Sequence, residues 1–408
     1  MAKKRIGILT GGGDCAGLNP AIKWVVKTAD EYSKEPSIED TFEAYGIRDG
    51  WRGLVDADTR IGADLSRYIV PLDVGAVRTW DREGGTRLGT SRTNPFNPAN
   101  NTSKKVHENI ERLGFDYLVA IGGEDTLGVA NKLYKEGVAV VGIPKTIDND
   151  LSATDYSLGF ETAVNVIEQE VGRLRTTAGS HSRIFVVETM GRHAGWLALE
   201  GGRASGSYII LIPEHDFDME RVIALLKARQ QAGIRYSIVL VSEGAKIRGE
   251  EELTIHGKTD SFGHKALGGL AAYVAKELRE KAGFETRHVV LSHLQRGGAP
   301  SAYDVRMGRD FGIAAMDLIV NGMFGRMVSF RDGRITHVVL EEAVGTLKTV
   351  DVKRLYDTDR YNASRYGIIR PTAVETSDDD EVVKGVADED GEEPVVKRRG
   401  RPRKTRKK

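Results

Sequence analysis

Three short clusters along the chain combine glycines or prolines with carboxylates and a lysine. Gly11, Gly12 and Gly13 precede Asp14, Cys15, Ala16 and Gly17; Gly122 and Gly123 precede Glu124, Asp125 and Thr126; Pro144 precedes Lys145, Thr146, Ile147, Asp148, Asn149 and Asp150. Glycines at a strand-to-helix turn let backbone N–H groups approach an anion, and a helix N-terminus adds partial positive charge. The first cluster therefore suits phosphate. It is not a Walker A loop, because no Gly-Lys-Ser/Thr follows, and its spacing differs from the dinucleotide pattern Gly-x-Gly-x-x-Gly. In the second, two glycines lead into two carboxylates, as Mg²⁺ held against phosphate oxygens requires. In the third, Asp148 and Asp150 stand two residues apart beside Lys145, a set able to divide general-base work, metal orientation and phosphate contact. Each cluster alone also reads as a turn or capped loop. Three of them at successive strand ends point to a site.

The elements that must carry these clusters show as short β-branched runs between helix-period stretches: Arg5–Thr10, Tyr117–Ile121, Val138–Ile143, Ile184–Glu188, Tyr208–Ile212, Ser237–Val241 and Val289–Leu291. The alternation predicts an α/β fold with mostly parallel sheets. Asn19 and Pro20 read as an N-cap and first helical position, with Ile22, Val25, Val26 and Ala29 forming the apolar face. Further helices are expected around Val164, Ile167, Val171 and Leu174, and around Leu270, Val274 and Leu278.

The 408 residues are 40% hydrophobic and carry 59 acidic and 59 basic side chains, enough for two ordinary domains and without a global field to draw the protein onto nucleic acid or lipid. Every apolar run is interrupted by Gly, Asp, Glu or Arg, which excludes a helical membrane span. The lone Cys15 and the absence of an apolar stretch behind Lys3 and Lys4 predict a cytoplasmic protein. From Pro371 to Glu393 the chain is acidic without aromatics, and from Lys397 almost wholly basic, so residues 371–408 are expected to be a disordered tail.

With these clusters in view, the chain resembles the bacterial type of phosphofructokinase from about residue 5 to 350. The resemblance rests on TGGGDCAGLNPAIK, GGTRLGTSRTNPF, IGGEDTLG, PKTIDNDL, ETMGRHAGW, SEGA and LSHLQRGGAPSAYD. It implies two Rossmann-like α/β domains within residues 1–370, the donor side mainly 1–150 and the sugar-phosphate side mainly 151–310, with the active site in the cleft between them. It further implies that Asp148 takes the proton from the 1-hydroxyl of fructose 6-phosphate, with Thr146, Asp150 and Arg192 at the reaction centre. Gly12, Arg92 and Glu124 match donor and Mg²⁺ positions, Glu124 being the metal candidate. Met190, Gly191, Arg192, Glu243, His293 and Arg296 match residues holding the acceptor. Arg183 and Arg287 match arginines that reach in from a neighbouring subunit, so a homodimer or homotetramer with shared sites is expected. Of the family's allosteric nucleotide site, only Arg173 finds a match.

Outside that context several of these residues read as structural. Arg183 and Arg287 would be surface ion-pair partners, His293 a hydrogen-bonded histidine in an apolar strand, Trp51 and Trp196 packing residues, and Cys15 a small loop residue. The chain departs from the ATP-dependent pattern twice: Asp125 and Lys145 replace the glycines of Gly-Gly-Asp-Gly and Pro-Gly-Thr-Ile-Asp. The pair resembles the pyrophosphate-dependent branch. A carboxylate at 125 would lie about 4 Å from a nucleotide's inner phosphate, a repulsion of about 4 kcal/mol at an effective dielectric of 20. Lys145 could contact a terminal phosphate that has no nucleoside to anchor it, worth about 1.5–3 kcal/mol. An ATP-dependent phosphofructokinase is the alternative. A dinucleotide oxidoreductase would need an acidic residue closing a second strand, and Asp30 falls in the first helix instead. The run Lys397–Lys404, centred on Arg-Gly-Arg-Pro, resembles an AT-hook, which would give an accessory, weak DNA contact in the minor groove; a solvated basic end is the plainer reading.

Overall fold

The computed structural model describes residues 3–249, 254–259, 265–267 and 269–365. The tail expected at 371–408, with its proposed DNA contact, lies outside these residues. Those from 3 to 364 form one compact unit.

The strands are β1 (Lys3–Thr10), β2 (Thr41–Ile47), β3 (Ile69–Leu72), β4 (Tyr117–Gly122), β5 (Val140–Pro144), β6 (Ile184–Thr189), β7 (Ile209–Leu211), β8 (Ser237–Ser242), β9 (Thr254–Thr259), β10 (Lys265–Leu267), β11 (Thr286–Val290), β12 (Arg326–Arg331), β13 (Arg334–Val339), β14 (Tyr356–Asp357) and β15 (Asn362–Ala363). Between them run α1 (Leu18–Tyr32), α2 (Trp51–Asp56), α3 (Ser103–Leu113), α4 (Glu124–Lys135), α5 (Phe160–His181), α6 (Trp196–Ser205), α7 (Met219–Gln231), α8 (Leu270–Ala282), α9 (Ala302–Val320), α10 (Leu340–Ala343) and α11 (Val352–Leu355). A seven-stranded sheet has the order β13-β12-β5-β4-β1-β2-β3, and a four-stranded parallel sheet the order β11-β6-β8-β7. In the larger sheet β12, β5, β4, β1 and β2 pair in parallel, while β3 and β13 are antiparallel edges.

The parallel strands β5, β6 and β8 are buried throughout and β4 is buried from Leu118 onward, as runs covered on both faces must be. The sheet order reverses at β1, with β4 on one side and β2 on the other, and the carboxyl ends beside such a reversal form a natural crevice. The three glycine and carboxylate clusters leave β1, β4 and β5 at those ends.

Three sequence expectations change. Asn19 is not a cap: α1 begins at Leu18 after Gly17, whose φ of 101° is left-handed. Asn19 is buried and its side chain instead donates to the carbonyls of Glu83 and Gly84 and accepts from the N–H of Arg87. The strand expected at Val289–Leu291 is β11 and runs Thr286–Val290, and His293 falls in the 3-10 turn Ser292–Arg296 beyond it. The larger sheet also recruits residues 326–339 from near the end of the described chain, joined by the tight turn Asp332-Gly333 with φ of 50° and 75°.

Candidate active site

The carboxyl ends of both sheets face one cavity of about 190 Å³. From the larger sheet come Gly12, Glu124, Asp125, Lys145, Thr146, Asp148 and Asp150, with Arg92 from the loop that follows the sheet's far edge. From the smaller sheet come Met190, Arg192 and Glu243, with Arg296 from the turn after β11. All these residues were expected from the sequence. Gly13, Gly123, His193 and Leu347 also line the cavity, and the first two could have been read from the glycine loops. Leu347 carried no signal.

The glycine loop after β1 is held by Lys145. Its ammonium is buried and donates to the carbonyl of Gly11 at 2.9 Å and to that of Gly13, while the N–H of Gly12 donates to Ser91 O at 3.1 Å. Burial lowers the Lys145 pKa to about 8. Gly13 also makes room for a cation from the other sheet. A β-carbon there would lie 2.4 Å from Nη1 of Arg296, which donates to Asp14 O at 3.0 Å.

At the third cluster the Asp148 N–H donates to the Thr146 hydroxyl at 3.2 Å, and Oδ1 of Asp148 is buried with no hydrogen-bond partner. An orphaned carboxylate oxygen in a polar cavity is a group waiting for a donor, such as a substrate hydroxyl. Burial pushes the Asp148 pKa up; Arg296, Arg192 and Lys145 oppose that shift and Glu243 adds to it. Asp150 is pushed up to about 7, by burial first and then by the neighbouring Asp148 charge, against a bond from Thr146. The loop is clamped beneath: Asn149, at a left-handed φ of 49°, accepts from the N–H and hydroxyl of Ser157, and that hydroxyl also donates to Thr146 O at 2.7 Å.

On the acceptor side, Gly191 has φ of 122°, and its carbonyl accepts from the Ser242 hydroxyl at 2.5 Å and the Gly244 N–H at 3.2 Å. Arg192 and Glu243 are thereby brought into the cavity from adjacent strands. Burial raises the Glu243 pKa, and Arg192 opposes the shift.

Arg183, Arg287 and His293 do not line the cavity. Arg183 pairs with Glu285 at 2.6 Å and Arg287 reaches the same carboxylate at 3.4 Å, where β6 and β11 begin, opposite their site ends. His293 is exposed, its Nδ1 2.9 Å from the Ser292 hydroxyl. Cys15 is buried, its thiol donating to Leu158 O, and burial pushes its pKa to about 12, the behaviour of a packing residue. Trp196 packs against the core and donates to Lys348 O at 2.8 Å.

Among the described residues, no group of three or more His, Cys, Asp or Glu side chains is arranged to hold a metal ion. Glu124, at the first turn of α4 with one oxygen accepting from the Gly345 N–H at 3.0 Å, is the carboxylate beside the phosphate-type loops. Mg²⁺ is commonly held by one or two carboxylates with substrate phosphates and water completing its shell, so this oxygen-only set fits it.

The family model for phosphofructokinase matches residues 5–319. A pyrophosphate–fructose 6-phosphate 1-phosphotransferase of Streptomyces coelicolor is 47% identical over 349 residues, covering 85% of this chain and 96% of that protein. An ATP-dependent 6-phosphofructokinase 3 of the same organism is 41% identical, covering 87% of this chain and 99% of the relative. A solved pyrophosphate-dependent phosphofructokinase from Marinobacter aquaeolei, at 23% identity and TM-score 0.72 over 89% of both chains, shares the fold.

Proposed function

Because the chain belongs to the phosphofructokinase family, we infer that its cleft transfers a phosphoryl group reversibly from pyrophosphate to the 1-hydroxyl of fructose 6-phosphate, giving fructose 1,6-bisphosphate. The carrying observation is that Asp125 and Lys145, the two residues that set this chain apart from the ATP-dependent pattern, line the same cavity as the orphaned oxygen of Asp148. Asp125 stands at the N-terminus of α4, where an inner phosphate bearing a nucleoside would meet its charge. Lys145 adds a buried cation for a small donor that has no nucleoside to anchor it.

In this reading Asp148 accepts the 1-hydroxyl proton as the oxygen attacks the terminal phosphorus of pyrophosphate, the bridging P–O bond breaks, and orthophosphate leaves. Its raised pKa makes it a better base than an exposed aspartate, and Arg296, Arg192 and Lys145 oppose that rise. The transition state spreads charge over the transferring oxygens, so the protein's remaining work is positioning and charge stabilisation. Arg192 and Arg296 hold the acceptor's phosphate and the transferring group from the acceptor side, their forked N–H groups matching phosphate oxygens. Met190, Gly191 and Glu243 hold the sugar; Gly12, Arg92 and Lys145 hold the donor. Glu124 would hold Mg²⁺, which when bound neutralises charge on the phosphoryl oxygens.

Arg183, Arg287 and His293 lie outside the cavity of one chain, and we place the two arginines at the site of a neighbouring subunit in a homodimer or homotetramer. No helix of the described residues is long and apolar enough to cross a membrane, and we place the enzyme in the cytoplasm with its sugar-phosphate substrates. Formation of fructose 1,6-bisphosphate from fructose 6-phosphate and Mg²⁺, followed in parallel with pyrophosphate and with ATP, tests the assignment. Pyrophosphate should support the higher kcat/KM. A preference for ATP would leave the Asp148 chemistry standing and overturn the donor.

A further inference from the structure

After α10 the chain runs as a strap along the site. The Gly345 N–H donates to Oε1 of Glu124 at 3.0 Å, Leu347 bridges Leu151 and lines the cavity, and the Lys348 N–H donates to Asp150 O at 2.7 Å. The strap thus touches the Mg²⁺ candidate and the catalytic loop within four residues. Its far side is tied to the smaller sheet: Trp196 Nε1–H donates to Lys348 O at 2.8 Å and the Val350 N–H donates to Glu214 Oε1 at 2.8 Å.

One side chain fastens this strap to the catalytic loop. The Lys348 ammonium turns inward and donates to Thr154 O at 2.8 Å and Asp155 O at 3.1 Å, with the Trp196 ring 5.8 Å away. Desolvating an ammonium is costly unless its bonds are made, so this cation holds both carbonyls in one place. A lysine on such a segment could extend into water; here the half-buried side chain turns back to the loop that follows Asp148 and Asp150.

We propose that Lys348 is a positioning residue for phosphoryl transfer: by pinning the 345–350 strap to the catalytic loop it sets the place of the Asp150 backbone and of the Glu124 carboxylate, without touching substrate itself. The proposal rests on the reading of Glu124 and Asp148 given above. It predicts a split that lost stability alone does not produce, because among the described residues Arg192, Glu243 and Arg296 make no bond of their own to the strap, whose ties to that side run through Trp196 and Glu214. In Lys348→Met, kcat should fall about ten- to thirtyfold and calorimetric binding of magnesium pyrophosphate should weaken severalfold, while the KM for fructose 6-phosphate stays within about twofold. Trp196→Phe, which keeps an aromatic ring but removes the N–H that bonds the Lys348 carbonyl and trims the ring's bulk, should move the same two constants in the same direction by less, and it decides the matter if the lysine variant does not fold. Rates are measured with whichever donor the unmodified enzyme uses, so a wrong donor assignment is seen separately in the unmodified enzyme. Unchanged kcat and donor binding in the variants, or losses in every constant that track the fraction of folded protein, would overturn the proposal.

Discussion

Replacing Asp150 by Asn tests the electrostatics of the site without any substrate. Asp150 is largely buried two residues from Asp148, and its pKa is pushed from 3.8 to about 7 by burial first and by the Asp148 charge second. A carboxyl whose folded pKa is raised binds more protons in the folded than in the unfolded chain between those two values. Stability is therefore lost as pH rises from about 4 to about 7, and above that the ionised group carries its full cost. At about 1.4 kcal/mol per unit, a shift of roughly three units is at most about 4 kcal/mol. Relaxation around the charge and sharing of the proton with Asp148 reduce this to about 1–3 kcal/mol. In a protein of this size that is a rise of a few degrees in Tm. Asp150→Asn should accordingly melt about 2–5 °C higher than the unmodified protein at pH 7.5, without Mg²⁺ or phosphates, and the gap should shrink towards zero near pH 4.5. Scanning calorimetry at the two pH values measures it. A variant equally stable or less stable at pH 7.5, or a gap that grows on acidification, would refute the assignment of a strained carboxylate pair. The same variant should be slow as an enzyme, the stability gained being that which the site gave up.

Asp148→Asn should lose at least about a hundredfold in kcat with a much smaller change in fructose 6-phosphate KM, since a base acts chiefly in the transition state; steady-state kinetics show the split. The acid limb of kcat against pH should sit above the range of an exposed aspartate, because burial raises the Asp148 pKa and the rate falls as pH drops through it. Asp125→Gly should lower the ATP KM by relieving a repulsion of up to about 4 kcal/mol, of which solvent leaves part. Lys145→Gly should cost about ten- to a hundredfold in pyrophosphate kcat/KM, because it removes a donor contact and also leaves the carbonyls of Gly11 and Gly13 without their ammonium. Removal of residues 371–408 should leave kcat unchanged, since Leu347 is the last residue along the chain among those lining the cavity.

The site was legible because its residues cluster at strand ends in sequence as well as in space. Lys145, Thr146, Asp148 and Asp150 share one loop, and the resemblance supplied Arg192, Glu243 and Arg296 from distant strands, all of which line the cavity. The parallel strands were legible because burial on both faces demands an unbroken apolar run. The β2–β3 end of the larger sheet was not. β2 carries Gly46 and is only part-buried over its first three residues, and the edge strand β3 is four residues long with Pro71 in it, a residue an edge tolerates because it needs no second hydrogen-bonding neighbour. The β12–β13 hairpin did leave a mark, Asp332-Gly333 between two alternating runs, the dipeptide that favours positive φ at both turn positions. Asn19 misled because asparagine before proline is a good cap signal, yet tertiary bonds to Glu83, Gly84 and Arg87 took its side chain. Nothing in the local sequence around Leu347 or Lys348 shows that this segment closes over a loop some 200 residues earlier; only the fold brings them together.

The most direct measurement of the central claim runs the reaction backwards. Purified protein is incubated with fructose 1,6-bisphosphate, orthophosphate and Mg²⁺, with a parallel sample containing ADP in place of orthophosphate, and both are followed by phosphorus NMR. A pyrophosphate resonance should grow with fructose 6-phosphate in the first sample, and ATP should form slowly or not at all in the second. ATP formed readily from ADP, with no pyrophosphate from orthophosphate, would contradict it.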